Sequence, residues 1–117
     1  LSDYYFDMKG SKILKLTAGK LPAFIENSLA EAGISRSEVG LVVPHQASKA
    51  LNLMMPRLGF AKGTYADYVS ECGNMISASI PYTMCRAIQE GRIRRGDVVM
   101  LLGTAAGLTA NLLLLRF

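Results

Sequence analysis

Two side chains in this sequence stand where neutral hydrogen-bond donors are chemically useful. His45, the one histidine, follows the apolar run Leu41-Val42-Val43-Pro44 and precedes Gln46-Ala47, so an imidazole is presented at the tip of a strand-like segment. Asn74 follows Gly73 and precedes the small-residue run Ser77-Ala78-Ser79-Ile80-Pro81. A third segment, Gly103-Thr104-Ala105-Ala106-Gly107-Leu108, reads as a glycine-flanked turn between two apolar strands. An amide and an imidazole beside a tight backbone loop have the donors to stabilise a developing enolate and a tetrahedral oxyanion. Taken singly, each has a plainer reading. A lone histidine at a strand end is more often structural, and an asparagine after glycine is a common turn residue. The combination is what points to a site.

Neither cysteine has the setting of a nucleophile. Cys85 falls inside a helical apolar pattern and is expected in the core. Cys72, beside Gly73-Asn74, is a candidate lining residue, but no histidine neighbour in sequence activates it. Two cysteines and one histidine make neither a disulfide framework nor a metal-ligand set, so no metal is expected. Ser77 and Ser79 lie in no Gly-x-Ser-x-Gly elbow and read as small packing residues at a helix start.

The elements that must position these groups follow from periodicity. Tyr4 to Met8 reads as a short strand. Ser11 opens a long helical stretch with Ile13, Leu14, Leu21, Phe24, Ile25, Leu29 and Ala32 at helical spacing. Pro22 predicts a kink, or two helices meeting near Gly19, and Gly33 marks the stop. Ser35 is placed to cap a turn leading to Glu38. Leu41-Val42-Val43 is continuously apolar, as in a strand covered on both faces. A helix capped by Ser48 is expected through Arg57, ended by Gly59, and a third strand around Tyr68-Val69. Another helix runs from Ser77 to Gln89, with Pro81 in its first turns, where proline is tolerated. Asp97 to Leu102 and Thr109 to Leu115 are the last strands, antiparallel because their connection is short. The order β-α-β-α-β-α-β-β implies one α/β layered domain with a mostly parallel sheet. Met54, Met55, Met84 and Met100 read as core or interface filler.

A length of 117 residues suits one core. Half the residues are hydrophobic, which fits equally a well-buried core and a face meant for another domain or subunit. A net charge of +4 can steer an acidic partner but is too small and scattered to indicate nucleic acid. The densest basic stretch, Arg92-Ile93-Arg94-Arg95, has no interleaved aromatics and reads as a solvated turn, with an anionic docking edge as the alternative. The first residues have neither a basic start nor an apolar segment of signal-peptide type. Val98 to Leu115 carries no charge, yet glycines, threonines and Asn111 split it into two buried strands rather than a membrane span. A cytoplasmic location is the expectation.

In this order and spacing the motifs resemble the C-terminal half of a β-ketoacyl-acyl-carrier-protein synthase III, of the thiolase superfamily. They are Pro44-His45-Gln46-Ala47, Gly73-Asn74 with residues 77–81, Gly91-Arg92-Ile93, Gly96-Asp97, Gly107-Leu108-Thr109 and the closing Arg116-Phe117. The resemblance covers essentially the whole chain. It implies a thiolase-like half, a five-stranded mixed sheet between helix layers, with its last strand antiparallel. It also implies a condensing enzyme of two similar halves. A cysteine of the first half accepts an acyl group from acyl-CoA, and malonyl-acyl carrier protein then loses carbon dioxide to give the attacking enolate. His45 and Asn74 are thereby implied as the donors to the malonyl thioester oxygen, and the backbone N–H of Ala106 as the oxyanion donor. Gln46, Lys49 and Thr104 become candidate substrate- or carrier-contacting residues. No cofactor is implied. The implied partners are acyl carrier protein, acyl-CoA, the chain's own N-terminal half, and a second copy in a homodimer.

The nucleophilic cysteine of that family matches neither Cys72 nor Cys85, so this chain alone is expected to be inactive. Departures bear on substrate. Ser48, Lys49 and Ala50 stand where many members have an asparagine and a nearby arginine, and Lys49 offers a point charge rather than a fork. Thr104, Ala105 and Ala106 replace a phenylalanine and glycines. Another thiolase-superfamily condensation, or a non-catalytic partner domain, is the alternative reading.

Overall fold

The computed structural model describes residues 10–105 and 107–117. The expected strand from Tyr4 to Met8 and the backbone of Ala106 lie outside them. Helix α1 spans Gly10–Ala32. Its buried residues are Thr17, Leu21, Ile25 and Leu29, a stripe of strict four-residue spacing. That stripe explains why α1 runs through Pro22 as one helix rather than as two meeting near Gly19. Proline forfeits one backbone bond, at about 3 kcal/mol, and burial of three large aliphatic side chains offsets it at about 1.5–3 kcal/mol each. Gly33 (φ 65°) then ends the helix. A 3₁₀ turn over Arg36–Glu38 follows, with the Ser35 N–H donating to the Glu38 carboxylate at 2.7 Å.

Strand β1, Val39–Pro44, pairs in parallel with β2, Val98–Ala105, which pairs antiparallel with β3, Thr109–Arg116. The order is β1-β2-β3. Between β1 and β2 lie α2 (Leu51–Arg57), α3 (Val69–Cys72) and α4 (Ser79–Gln89). Alternate residues of β1 face opposite cores. Val42 joins Leu21, Ile25, Met55 and Met100 on one side, and Leu41 and Val43 join Ala87, Ile93 and Val99 on the other. Both faces are covered, which is why β1 is apolar without alternation.

Three strands, not the expected five, are present among the described residues. The strand expected around Tyr68-Val69 is corrected. Tyr65 makes a single parallel bridge to Val42, and the chain then turns into α3. At Tyr68 the backbone N–H donates to the buried side chain of Gln46, and at Val69 to the Asp67 carboxylate, so neither is paired with a neighbouring strand. Cys85 is also corrected: it is exposed, on the side of α4 away from buried Ser79, Thr83 and Ala87. Among the described residues no helix is long and apolar enough to cross a membrane.

Candidate functional site

His45 stands just past the end of β1, and its backbone N–H donates to Leu102 O at 2.8 Å, extending the ladder one residue beyond the strand. The strand tip beneath it is fully buried, while the imidazole itself is half-buried. Desolvation holds its pKa below the ordinary 6.5, so the ring is neutral at neutral pH. A neutral imidazole keeps one N–H donor and one acceptor.

Gln46, expected to contact substrate or carrier, is instead wholly enclosed (0% exposed). Its amide nitrogen donates to Pro44 O at 2.9 Å and Ala66 O at 3.1 Å, and its oxygen accepts from Tyr68 N at 2.8 Å. One side chain thus ties the His45 segment to the strand end behind it and to the segment that leads into α3. Such a satisfied buried network rigidifies its surroundings.

Asn74 follows the short helix α3 through Gly73, whose φ 65°, ψ −163° is open in practice only to glycine. Asn74 is exposed. Its Oδ1 accepts the Ile76 N–H at 2.8 Å. A backbone N–H can only donate, so the atom facing it is the oxygen, and the Asn74 NH₂ group is the end left for a ligand. The next backbone N–H, of Met75, donates to Ser79 Oγ at 3.1 Å and ties the turn to the start of α4. Ile76 itself is 77% exposed and held at φ 54°, a left-handed conformation costly for a β-branched residue.

These pieces share one end of the sheet. Ile80 Cδ1 lies 3.6 Å from where a Cβ on Gly103 would stand, so the first turn of α4 abuts β2 one residue beyond the Leu102 carbonyl that holds His45. Thr104 follows on β2, half-buried and opposite Ala110. Carboxyl ends of parallel strands are where open α/β sheets place their ligands. Lys49 is exposed in the turn before α2, and Ser48 Oγ accepts the Ala50 N–H at 3.2 Å, so the helix begins later than its expected cap. The structure therefore brings His45 and Thr104 to the same end of β1 and β2, ties the Asn74 turn to the start of α4 that abuts Gly103, leaves Lys49 exposed, and withdraws Gln46 from solvent. Arg86 was not anticipated as part of this region. Its one sequence signal was an acidic residue, Glu90, one helical turn away.

Residues 29–117 match the family model for the C-terminal part of 3-oxoacyl-[acyl-carrier-protein (ACP)] synthase III. The chain is 33% identical over 114 residues to the β-ketoacyl-[acyl-carrier-protein] synthase III of Aquifex aeolicus, covering 97% of this chain and 37% of the relative. It is 33% identical over 116 residues to the enzyme of the same name from Oceanobacillus iheyensis, covering 98% and 37%. The chain thus spans little more than a third of the curated relatives it matches. The crystal structure of the Aquifex aeolicus protein superposes with a TM-score of 0.87 at 33% identity, over 97% of this chain and 37% of that one. Xanthomonas campestris OleA shares the fold alone, at a TM-score of 0.83 and 21% identity over 92% of this chain and 31% of that one. With that match, those relatives and a thiolase-like α/β fold, the chain belongs to the C-terminal domain family of 3-oxoacyl-[acyl-carrier-protein] synthase III.

Proposed function

We propose that this chain is the C-terminal catalytic half of a synthase III-type condensing enzyme, and that it acts in the decarboxylative Claisen condensation of an acyl thioester with malonyl-acyl carrier protein. The reading is supported by the Asn74 amide, whose Oδ1 is held by the Ile76 N–H so that its NH₂ end is the one able to donate, and by the neutral imidazole of His45 at the tip of β1. As carbon dioxide leaves the malonyl group, negative charge moves onto the thioester oxygen. Donor bonds from the Asn74 Nδ2 and from the His45 ring N–H strengthen as it does so. Neither donor carries a negative charge that would repel the malonyl carboxylate. A backbone N–H at Ala106 serves the tetrahedral intermediate of the acyl-transfer step. Thr104 shapes the pocket wall, and Lys49 on the rim meets the phosphate of the incoming carrier or coenzyme A.

The nucleophilic cysteine belongs to an N-terminal half in the same protein, which takes its acyl group from acyl-CoA. The whole enzyme works without a cofactor, in the cytoplasm, as a homodimer in fatty acid biosynthesis. The test is malonyl-carrier decarboxylation by the native protein and by its Asn74→Ala form. A loss of about a hundredfold or more in kcat is expected for removal of one such donor. An unchanged rate removes Asn74 from the mechanism.

A further inference from the structure

Arg86 occupies a position that the chemistry above does not use. It lies on the second turn of α4, half-buried, and it serves several groups at once. Its Nη2 pairs with the Glu71 carboxylate. Its Nη1 lies 3.7 Å from Cys72 Sγ. Its Nε donates to Glu90 one helical turn along at 3.1 Å. The guanidinium plane stacks on the Tyr68 ring, 4.4 Å from its centroid. The ion pair with Glu71 is the first cause raising the Arg86 pKa above its usual value.

Glu71, Cys72 and Tyr68 all belong to the segment that delivers Asn74. Tyr68 precedes α3, Glu71 and Cys72 end it, and Gly73 leads directly into Asn74. The contacts of Arg86 with Glu71, Cys72 and Tyr68 therefore join α4 to that segment. Glu90 is held in turn, since it accepts the Tyr68 hydroxyl. Arg92 reaches the same hydroxyl at 3.4 Å and the Tyr65 carbonyl at 3.0 Å. From its far side, Tyr68 is fixed through its backbone N–H by Gln46. An exposed ion pair alone contributes little, but a planar fork stacked on a ring and bonded at three edges fixes geometry in a way a lone pair does not.

We propose that Arg86 is a positioning residue that clasps the α3 segment to α4 and so sets the placement of the Asn74 amide. This rests on the condensing reading for its activity readout but not for its structural one. The test uses the native protein in a Glu90→Gln background, so that an acidic residue at 86 meets no like charge one turn on. Glu71→Arg, Arg86→Glu and their combination are compared by hydrogen exchange at the Met75 and Ile76 amides and by kcat and KM for malonyl-carrier decarboxylation. Each single change is expected to speed exchange at both amides and to lower kcat about tenfold with KM little altered, the effect of a small misplacement of a reacting geometry. The charge-exchanged pair is expected to recover most of both.

The clasp is overturned if single changes leave exchange at the two amides unaltered, or if the exchanged pair is no better than its parents. If Asn74→Ala leaves decarboxylation intact, the catalytic reading fails while the exchange data still decide the clasp. If Asn74→Ala abolishes decarboxylation and the Arg86 changes are silent, only the clasp fails.

Discussion

The two proposed donors are carried by segments of opposite character. His45 rides on the end of β1, a strand covered on both faces, above Val43 and Pro44, and is braced by a fully buried glutamine. Asn74 rides on an exposed turn between a four-residue helix and a 3₁₀ turn at Ile76–Ala78, and includes a strained β-branched residue. The first is held by hydrophobic burial and backbone bonds, the second by side-chain links to α4. The lesson is that one site can take one donor from the rigid core and another from a region of much lower local stability. Local openings in a fold are drawn from such low-stability regions.

Gln46→Leu gives the sharpest way to break this contrast. It strands the buried Tyr68 N–H and two carbonyls, and the unmet donor alone costs about 1–3 kcal/mol. A fall of about 3 kcal/mol in unfolding free energy, read from the denaturant midpoint, is expected. No change would mean the His45 segment is braced elsewhere.

A smaller effect tests the rigid segment through pH. The folded pKa of His45 lies below its unfolded value, so the unfolded chain binds the extra proton first as pH falls. Stability from this group is therefore complete above the ordinary 6.5 and declines as pH drops toward the folded pKa. His45→Asn should flatten that part of the stability curve, and an unaltered slope would show that the imidazole is not desolvated. Smallest of all, Ile76→Asn should stabilise the turn by about 1 kcal/mol, since asparagine tolerates the left-handed region that isoleucine resists. If the melting temperature falls instead, the isoleucine side chain has a packing role that outweighs its strain.

Much of this organisation was readable beforehand, because periodicity reports burial. The unbroken apolar run of β1 announced a doubly covered strand, and the glycines at 33, 59 and 91 marked helix ends. Misreadings came where a tertiary partner overrode a local signal. Tyr65, Tyr68 and Val69 have strand-like side chains, yet a glutamine more than twenty residues away takes the backbone hydrogen of Tyr68. Cys85 sits among apolar neighbours but on the solvent side of α4, a matter of helical phase that spacing alone did not resolve. Of the two readings Pro22 allowed, a kink or two separate helices, the buried stripe of α1 overruled the second. Of the proposed site, His45 and Asn74 were singled out by their sequence settings. The enclosure of Gln46 and the reach of Arg86 were not, because both depend on which loops the fold brings against them.

The crossover between β1 and β2 has a consequence for the order of assembly. The β2–β3 hairpin pairs near neighbours such as Ala105 and Thr109, and hairpins of this kind form in about 1–10 μs. The β1–β2 pairing joins residues as far apart as Val39 and Val98, so it must first close the long loop that holds α2, α3 and α4. During that interval the leucines at 112–115 lie on an early hairpin with β1 not yet docked beside it, a species prone to self-association at high concentration. The bond from His45 N to Leu102 O belongs to the late step, so the seat of the proposed His45 donor is among the last parts of the molecule to come into being.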